Sequence, residues 1–143
     1  MPPSFLAFDF GTRRVGVASG NTLLATATPL NTVQATGDER WRQIARLVAE
    51  HRPDALVVGI PYHPDGAAHD NTHRARAFGR QLHGRFRLPV HEVDERYSTT
   101  EALAAGARDP DAAAAALILE QFLRALPNPT VVPTPASDDD AAT

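Results

Sequence analysis

At 143 residues, with 43% hydrophobic and 22% charged side chains, the chain has the composition of one globular domain, long enough to bury a core without disulfide or metal staples. It has no cysteine and all 14 basic residues are arginine, which excludes thiol nucleophiles, thiolate metal sites, Schiff-base chemistry and a P-loop lysine. The net charge of −3 hides an asymmetry: three of the 17 acids, Asp138, Asp139 and Asp140, lie in a final stretch without a base, leaving residues 1–126 neutral. No apolar run approaches the roughly 18 residues of a membrane span, and Met1-Pro2-Pro3-Ser4 lacks the pattern of a secretory signal. These features predict a soluble, cytoplasmic protein.

In chain order, Phe5 to Phe8 is a short apolar run ending in Asp9, and Gly11-Thr12 are turn residues. Arg14 to Ser19 alternates and closes a hairpin with the first strand, and a third strand is predicted over Leu24 to Leu30. From Asp38 to His51, Trp41, Ile44, Leu47 and Val48 recur at helical spacing, with Arg42, Arg46 and Glu50 opposite. Pro53 ends that helix, and Ala55 to Ile60 reads as a strand buried on both faces. Pro61 to Asp70 is a loop. A second helix follows with Ala75, Phe78, Leu82 and Phe86 inward and Arg76, Arg80 and His83 together on another face. Pro89 to Asp94 predicts a fifth strand, Ser98 to Glu101 the start of a short helix, and Asp109-Pro110-Asp111 opens a last helix through Leu126. A hairpin followed by α/β crossovers predicts a mixed sheet with helices on its faces. The domain then spans residues 1–126, and the proline- and aspartate-containing stretch 127–143 reads as a disordered tail.

Three acidic positions stand where such a sheet can gather them. Asp9 ends the first strand, Asp94 and Glu95 end the fifth, and Asp111 lies in the first turn of the last helix. Carboxylates so clustered repel unless cations neutralise them, and hard divalent ions bound by oxygen are the natural counter-charge. Two such ions about 4 Å apart can activate a water and stabilise the leaving oxygen of a phosphodiester. Each acid also has a plainer use. Asp9 can serve as a turn former, Asp109 as an N-cap with Pro110 at the first helical position, and Asp111 as a partner of the helix dipole. Ser98 and Glu101 match a capping box, Arg96 can pair with a nearby carboxylate, and His69 and His73 fit loop and cap roles better than a metal site. The segment His73 to His91 carries Arg74, Arg76, Arg80, Arg85 and Arg87 and no acid, a local basic stretch suited to phosphate or to a solvated face.

Phe8-Asp9-Phe10-Gly11-Thr12-Arg13-Arg14-Val15-Gly16-Val17-Ala18 resembles the opening motif of the YqgF/RuvX family, assigned as Holliday-junction resolvases and as pre-16S rRNA nucleases. The resemblance continues through Val58-Gly59-Ile60-Pro61 with Asp65-Gly66, through Val93-Asp94-Glu95-Arg96-Tyr97-Ser98-Thr99, and through Asp111 with the alanines and Leu117-Ile118-Leu119-Glu120 behind it. It covers roughly residues 5–126. It implies an RNase H-like α/β fold with a five-stranded mixed sheet of order 3-2-1-4-5, helices on both faces, and phosphodiester cleavage with two Mg²⁺ or Mn²⁺ ions. Asp9, Glu95 and Asp111 are then the catalytic, metal-binding carboxylates, with Asp94 as substitute for Glu95. Glu95 is favoured because its longer side chain reaches further from the strand end. Arg13, Arg14 and Arg96 would hold phosphates, with Arg76 and Arg80 as outer contacts. The chain departs from the family at Tyr62-His63-Pro64 and has a short segment between Glu101 and Asp111.

The expected partner is nucleic acid, with 5′-end processing of precursor 16S rRNA in ribosome biogenesis as the first reading. Cleavage of branched or single-stranded DNA in repair or recombination uses the same carboxylates, and a catalytically inert nucleic-acid-binding or ribosome-associated module on the same fold is the other alternative. Resolving a four-way junction symmetrically calls for two active sites and hence a homodimer, whereas trimming an end does not. An ATP-binding domain of the actin and sugar-kinase type also opens with Asp-x-Gly-Thr, but needs a second lobe for which 143 residues leave no room.

Overall fold

The computed structural model describes residues 2–24, 26–62, 65–95 and 103–126. Strand β1 (Ser4–Phe10) lies at the centre of the sheet, with Phe5, Leu6, Ala7 and Phe8 buried. Removing such side chains from water contributes about 1.5–3 kcal/mol for each large one, which is why the most apolar run takes the middle position. Strand β2 (Val15–Asn21) folds back antiparallel to it, pairing Phe10 with Val15 and Ser4 with Asn21. Strand β3 (Ala27–Pro29) pairs antiparallel with β2, while β4 (Ala55–Ile60) and β5 (Val90–Asp94) add in parallel on the other side of β1. The order is β3-β2-β1-β4-β5, as the resemblance implies.

Alternation along β1 sorts the two faces. Leu6 and Phe8 pack with Ile44, Ala75, Phe78 and Leu82 from helices α1 (Gly37–His51) and α2 (Asp70–Phe86). Phe5 and Ala7 point the other way, onto Ile118, Leu119, Phe122 and Leu123 of helix α3 (Pro110–Ala125). The alanine run of α3 meets small residues of β2, with Ala18 against Ala115 and Ala116, so helix and sheet approach closely.

One local expectation changes. The third strand covers Ala27–Pro29 rather than Leu24 to Leu30, because β2 runs on to Asn21. The Asn21 side chain then accepts hydrogen bonds from the Leu23 and Leu24 N–H groups, and this turn leaves both leucines exposed. Helix α2 is capped by His69, whose ring nitrogen accepts from Asn71 N–H while Thr72 Oγ1 accepts from His69 N–H. The expected helix start at Ser98 to Glu101 and the tail from residue 127 lie outside the described residues.

Candidate active site

Asp9 is the last odd-numbered residue of β1, so its side chain follows Phe5 and Ala7 onto the α3 face. Its two neighbours across the sheet are both glycine. Gly16 of β2 is its antiparallel partner, and Gly59 of β4 stands one residue beyond the paired Phe8 and Val58. These glycines make room for two other acids. A Cβ on Gly16 would overlap the Asp111 carbonyl, so the first turn of α3 rests directly on the strand. A Cβ on Gly59 would overlap Glu95 Oε2 and come within 2.8 Å of that carboxyl carbon and 2.6 Å of Ile118 Cδ1. Neighbouring strands lie about 4.8 Å apart. The Asp111 backbone and the Glu95 carboxylate therefore stand over the two glycines that neighbour Asp9, on the strands either side of it.

Parity separates the two acids at the end of β5. Glu92 contacts Arg76 on α2, while Val93 packs with the α3 core. Glu95 shares the face of Val93, and its N–H continues the ladder by donating to Ile60 O at 3.0 Å. Asp94 has the parity of Glu92 and is exposed. The carboxylate on Asp9's side of the sheet is thus that of Glu95.

Among the described residues no three His, Asp or Glu side chains are grouped closely enough to hold a metal ion as they stand. The Asp111 carboxylate is instead engaged by Arg14, with Nε 3.1 Å from Oδ2. The donor set nevertheless suits a hard divalent cation, being carboxylate oxygens beside a cradle that a single Cβ at Gly59 would fill.

Asp109 fixes where α3 begins. Its side chain accepts from Ala112 N–H as the helix cap, and from Thr32 Oγ1 at 2.5 Å and Thr32 N–H at 3.1 Å. Burial pushes the Asp109 pKa up, but the bonds from Thr32 and Ala112 outweigh it and hold the group below its ordinary 3.8. A depressed folded-state pKa contributes stability above the unfolded value that disappears as pH falls through the folded one. Asp109→Ala is therefore expected to cost about 1–2 kcal/mol at pH 7. The gap in melting temperature between native and variant should narrow as pH drops below about 4, and thermal melts across that range check it.

The arginines divide. Arg13 and Arg14 are exposed on the β1–β2 loop, and Arg14 reaches Asp111. Arg76 reaches Glu92 at 3.3 Å and Arg85 lies 4.3 Å over the Trp41 ring, both from α2 on the opposite face of the sheet. Arg80 is exposed on that same helix, and Arg96 lies outside the described residues. A further arginine escaped the sequence reading. Arg40 of α1 is only 7% exposed. Its Nε donates to Ala35 O at 2.7 Å and its Nη2 to Gly11 O at 3.0 Å and Thr12 O at 3.1 Å. Desolvation pulls its pKa below the usual guanidinium value. Helical periodicity gave no signal for it, since a charged residue beside Trp41 reads as solvated.

Five strands in this order, with helices on both faces and an acid at the end of the central strand, define an RNase H-like α/β protein. The profile of the family described as RuvX, Holliday junction resolvase, matches residues 3–125, and the chain belongs to that family, a family of nucleases. It is 66% identical over 124 residues to a protein of Polaromonas sp. (strain JS666 / ATCC BAA-500) named "Putative pre-16S rRNA nuclease", covering 87% of this chain and 90% of the relative. A Burkholderia pseudomallei (strain 668) protein of the same name is 52% identical over 132 residues, with coverage of 87% and 90%. Among solved structures, T. thermophilus RuvC in complex with a Holliday junction substrate superposes with a TM-score of 0.55 at 17% identity, covering 85% of this chain and 94% of that one. That likeness extends to the fold. No helix among the described residues is long and apolar enough to cross a membrane.

Proposed function

We propose that this chain hydrolyses phosphodiester bonds of RNA, trimming the 5′ end of precursor 16S rRNA in the cytoplasm, with Mg²⁺ or Mn²⁺ held by Asp9, Glu95 and Asp111. The observation that carries the reading is the pair of glycines, Gly16 and Gly59, which flank Asp9 and admit the other two acids to the same sheet face. Bound divalent ions supply an activated water and a counter-charge for the leaving oxygen. The chain's own part is to hold the carboxylates at the end of a rigid central strand. Arg13 and Arg14 border them and donate to phosphate oxygens, fixing the register of the backbone. The choice of rRNA draws on the names of the relatives.

The test uses end-labelled precursor 16S rRNA fragments, single-stranded DNA and a four-way DNA junction, each with Mg²⁺, Mn²⁺ or EDTA. The expected result is cation-dependent cleavage of the rRNA that leaves a 5′-phosphate and a 3′-hydroxyl. Preference for the junction would transfer the reading to branched DNA, and absence of cleavage on every substrate would overturn it.

A further inference from the structure

The buried Arg40 does something that packing alone does not require. Burying a full positive charge is costly, and an apolar side chain of similar volume often serves stability as well. Here the charge is met by three carbonyl oxygens and the Phe10 ring, 5.6 Å from the guanidinium carbon, and among the described residues by no carboxylate. Two of those carbonyls belong to successive residues, Gly11 and Thr12, at the start of the β1–β2 loop. One nitrogen thus draws both peptide units toward α1. The loop is tight besides: a Cβ on Gly11 would stand 2.6 Å from the Arg14 carbonyl oxygen. With its carbonyls turned inward, the loop presents Thr12, Arg13 and Arg14 outward, and Arg14 reaches Asp111 across the sheet end. A continuous run of contacts therefore joins α1, on one face, to the first turn of α3, on the other.

We propose that Arg40 is a positioning residue that acts through the Gly11–Thr12 carbonyls to set where Arg14 stands, and with it one phosphate contact beside the three acids. The inference rests on the nuclease reading for the phosphate, but the placement of Arg14 can be read without it. Lysine at position 40 keeps the charge yet cannot reproduce the planar fork that reaches three carbonyls. Methionine removes the charge at similar length, and serves if the lysine variant does not fold.

The experiment measures binding of labelled single-stranded RNA in EDTA over a range of salt, for the native chain, Arg14→Ala, Arg40→Lys, Arg40→Met and the double variant Arg14→Ala/Arg40→Lys. Losing one phosphate contact lowers the salt slope by about 1. Arg40→Lys is expected to show that drop although it retains the charge, and the double variant should match Arg14→Ala alone. A native slope in Arg40→Lys and Arg40→Met, or drops that add in the double variant, would overturn the proposal. A merely structural role would lower the melting temperature and leave the slope alone. In parallel, the Arg14 Nε–H signal in nitrogen–proton spectra should move in both Arg40 variants, and an unmoved signal overturns the proposal even if the native chain binds no RNA. Failure of the native chain to bind, with that signal moved, would count against the nuclease reading only.

Discussion

Replacing Asp9 with asparagine is expected to abolish cation-dependent cleavage while leaving the fold as stable as before or more so. Substitutions of groups that merely orient a metal ligand already cost about 10–100-fold, so loss of a direct ligand should lower the rate by more than about 100-fold, or about 2.7 kcal/mol of barrier. The stability side follows from charge. Asp9 lies half-buried between Gly16 and Gly59, on the sheet face that Glu95 shares, and asparagine removes a partly desolvated charge near a like one. The same experiment separates this role from that of a turn former, because asparagine serves a turn as well as aspartate does, and cleavage would then persist. Binding gives a second readout. At free Mn²⁺ about 100 times its dissociation constant the native chain gains about 2.7 kcal/mol, or roughly 10 °C in melting temperature for a domain of this size. The Asn variant should gain much less. Native turnover in Asp9→Asn, or an equal Mn²⁺ shift, removes Asp9 from the site.

The sheet was legible because its strands carry their burial in their composition. Phe5 to Phe8 and Ala55 to Ile60 are continuous apolar runs that only a central position satisfies, and the structure buries both. β3 was misjudged by the same rule. Leu23 and Leu24 are apolar, but Asn21 folds the turn beneath them and leaves them exposed, and a side chain bonding two residues on is invisible to hydrophobic periodicity. At the candidate site, the residue types were readable and their parity was not. Whether Asp94 or Glu95 faces Asp9 depends on a register of two-residue period, which the β4–β5 pairing supplies. Arg76 illustrates the converse. Its charge suited phosphate in the sequence, yet it stands across the sheet from the acids with Glu92 beside it. Arg40 had no sequence signal at all, because its partners are backbone carbonyls, which every sequence contains.

Gly16→Ala is expected to be the most destabilising glycine-to-alanine substitution among the described residues. Where a strand glycine has room beside it, alanine stabilises by about 0.4–1 kcal/mol, by restricting the unfolded chain. At Gly16 the added methyl would overlap the Asp111 carbonyl and stand 3.0 Å from Ala112 N. These are backbone atoms in the capped first turn of α3, where no side-chain rotation gives relief. The helix must retreat on the order of an ångström, loosening Ala115, Ile118 and Leu119 from the sheet. Overpacking of this kind costs about 1–3 kcal/mol, and more where backbone must move, so the sign of the effect alone decides the matter. Gly59→Ala provides the contrast. Its new methyl meets Glu95 and Ile118 side-chain ends, which can swing aside, so the melting temperature should hold within a few degrees while Glu95 leaves the cradle and cleavage falls. Thermal melts and single-turnover cleavage on both variants give the comparison. If Gly16→Ala melts with or above the native chain, the close seat of α3 on β2 is wrong, and Asp111 loses its place beside Asp9.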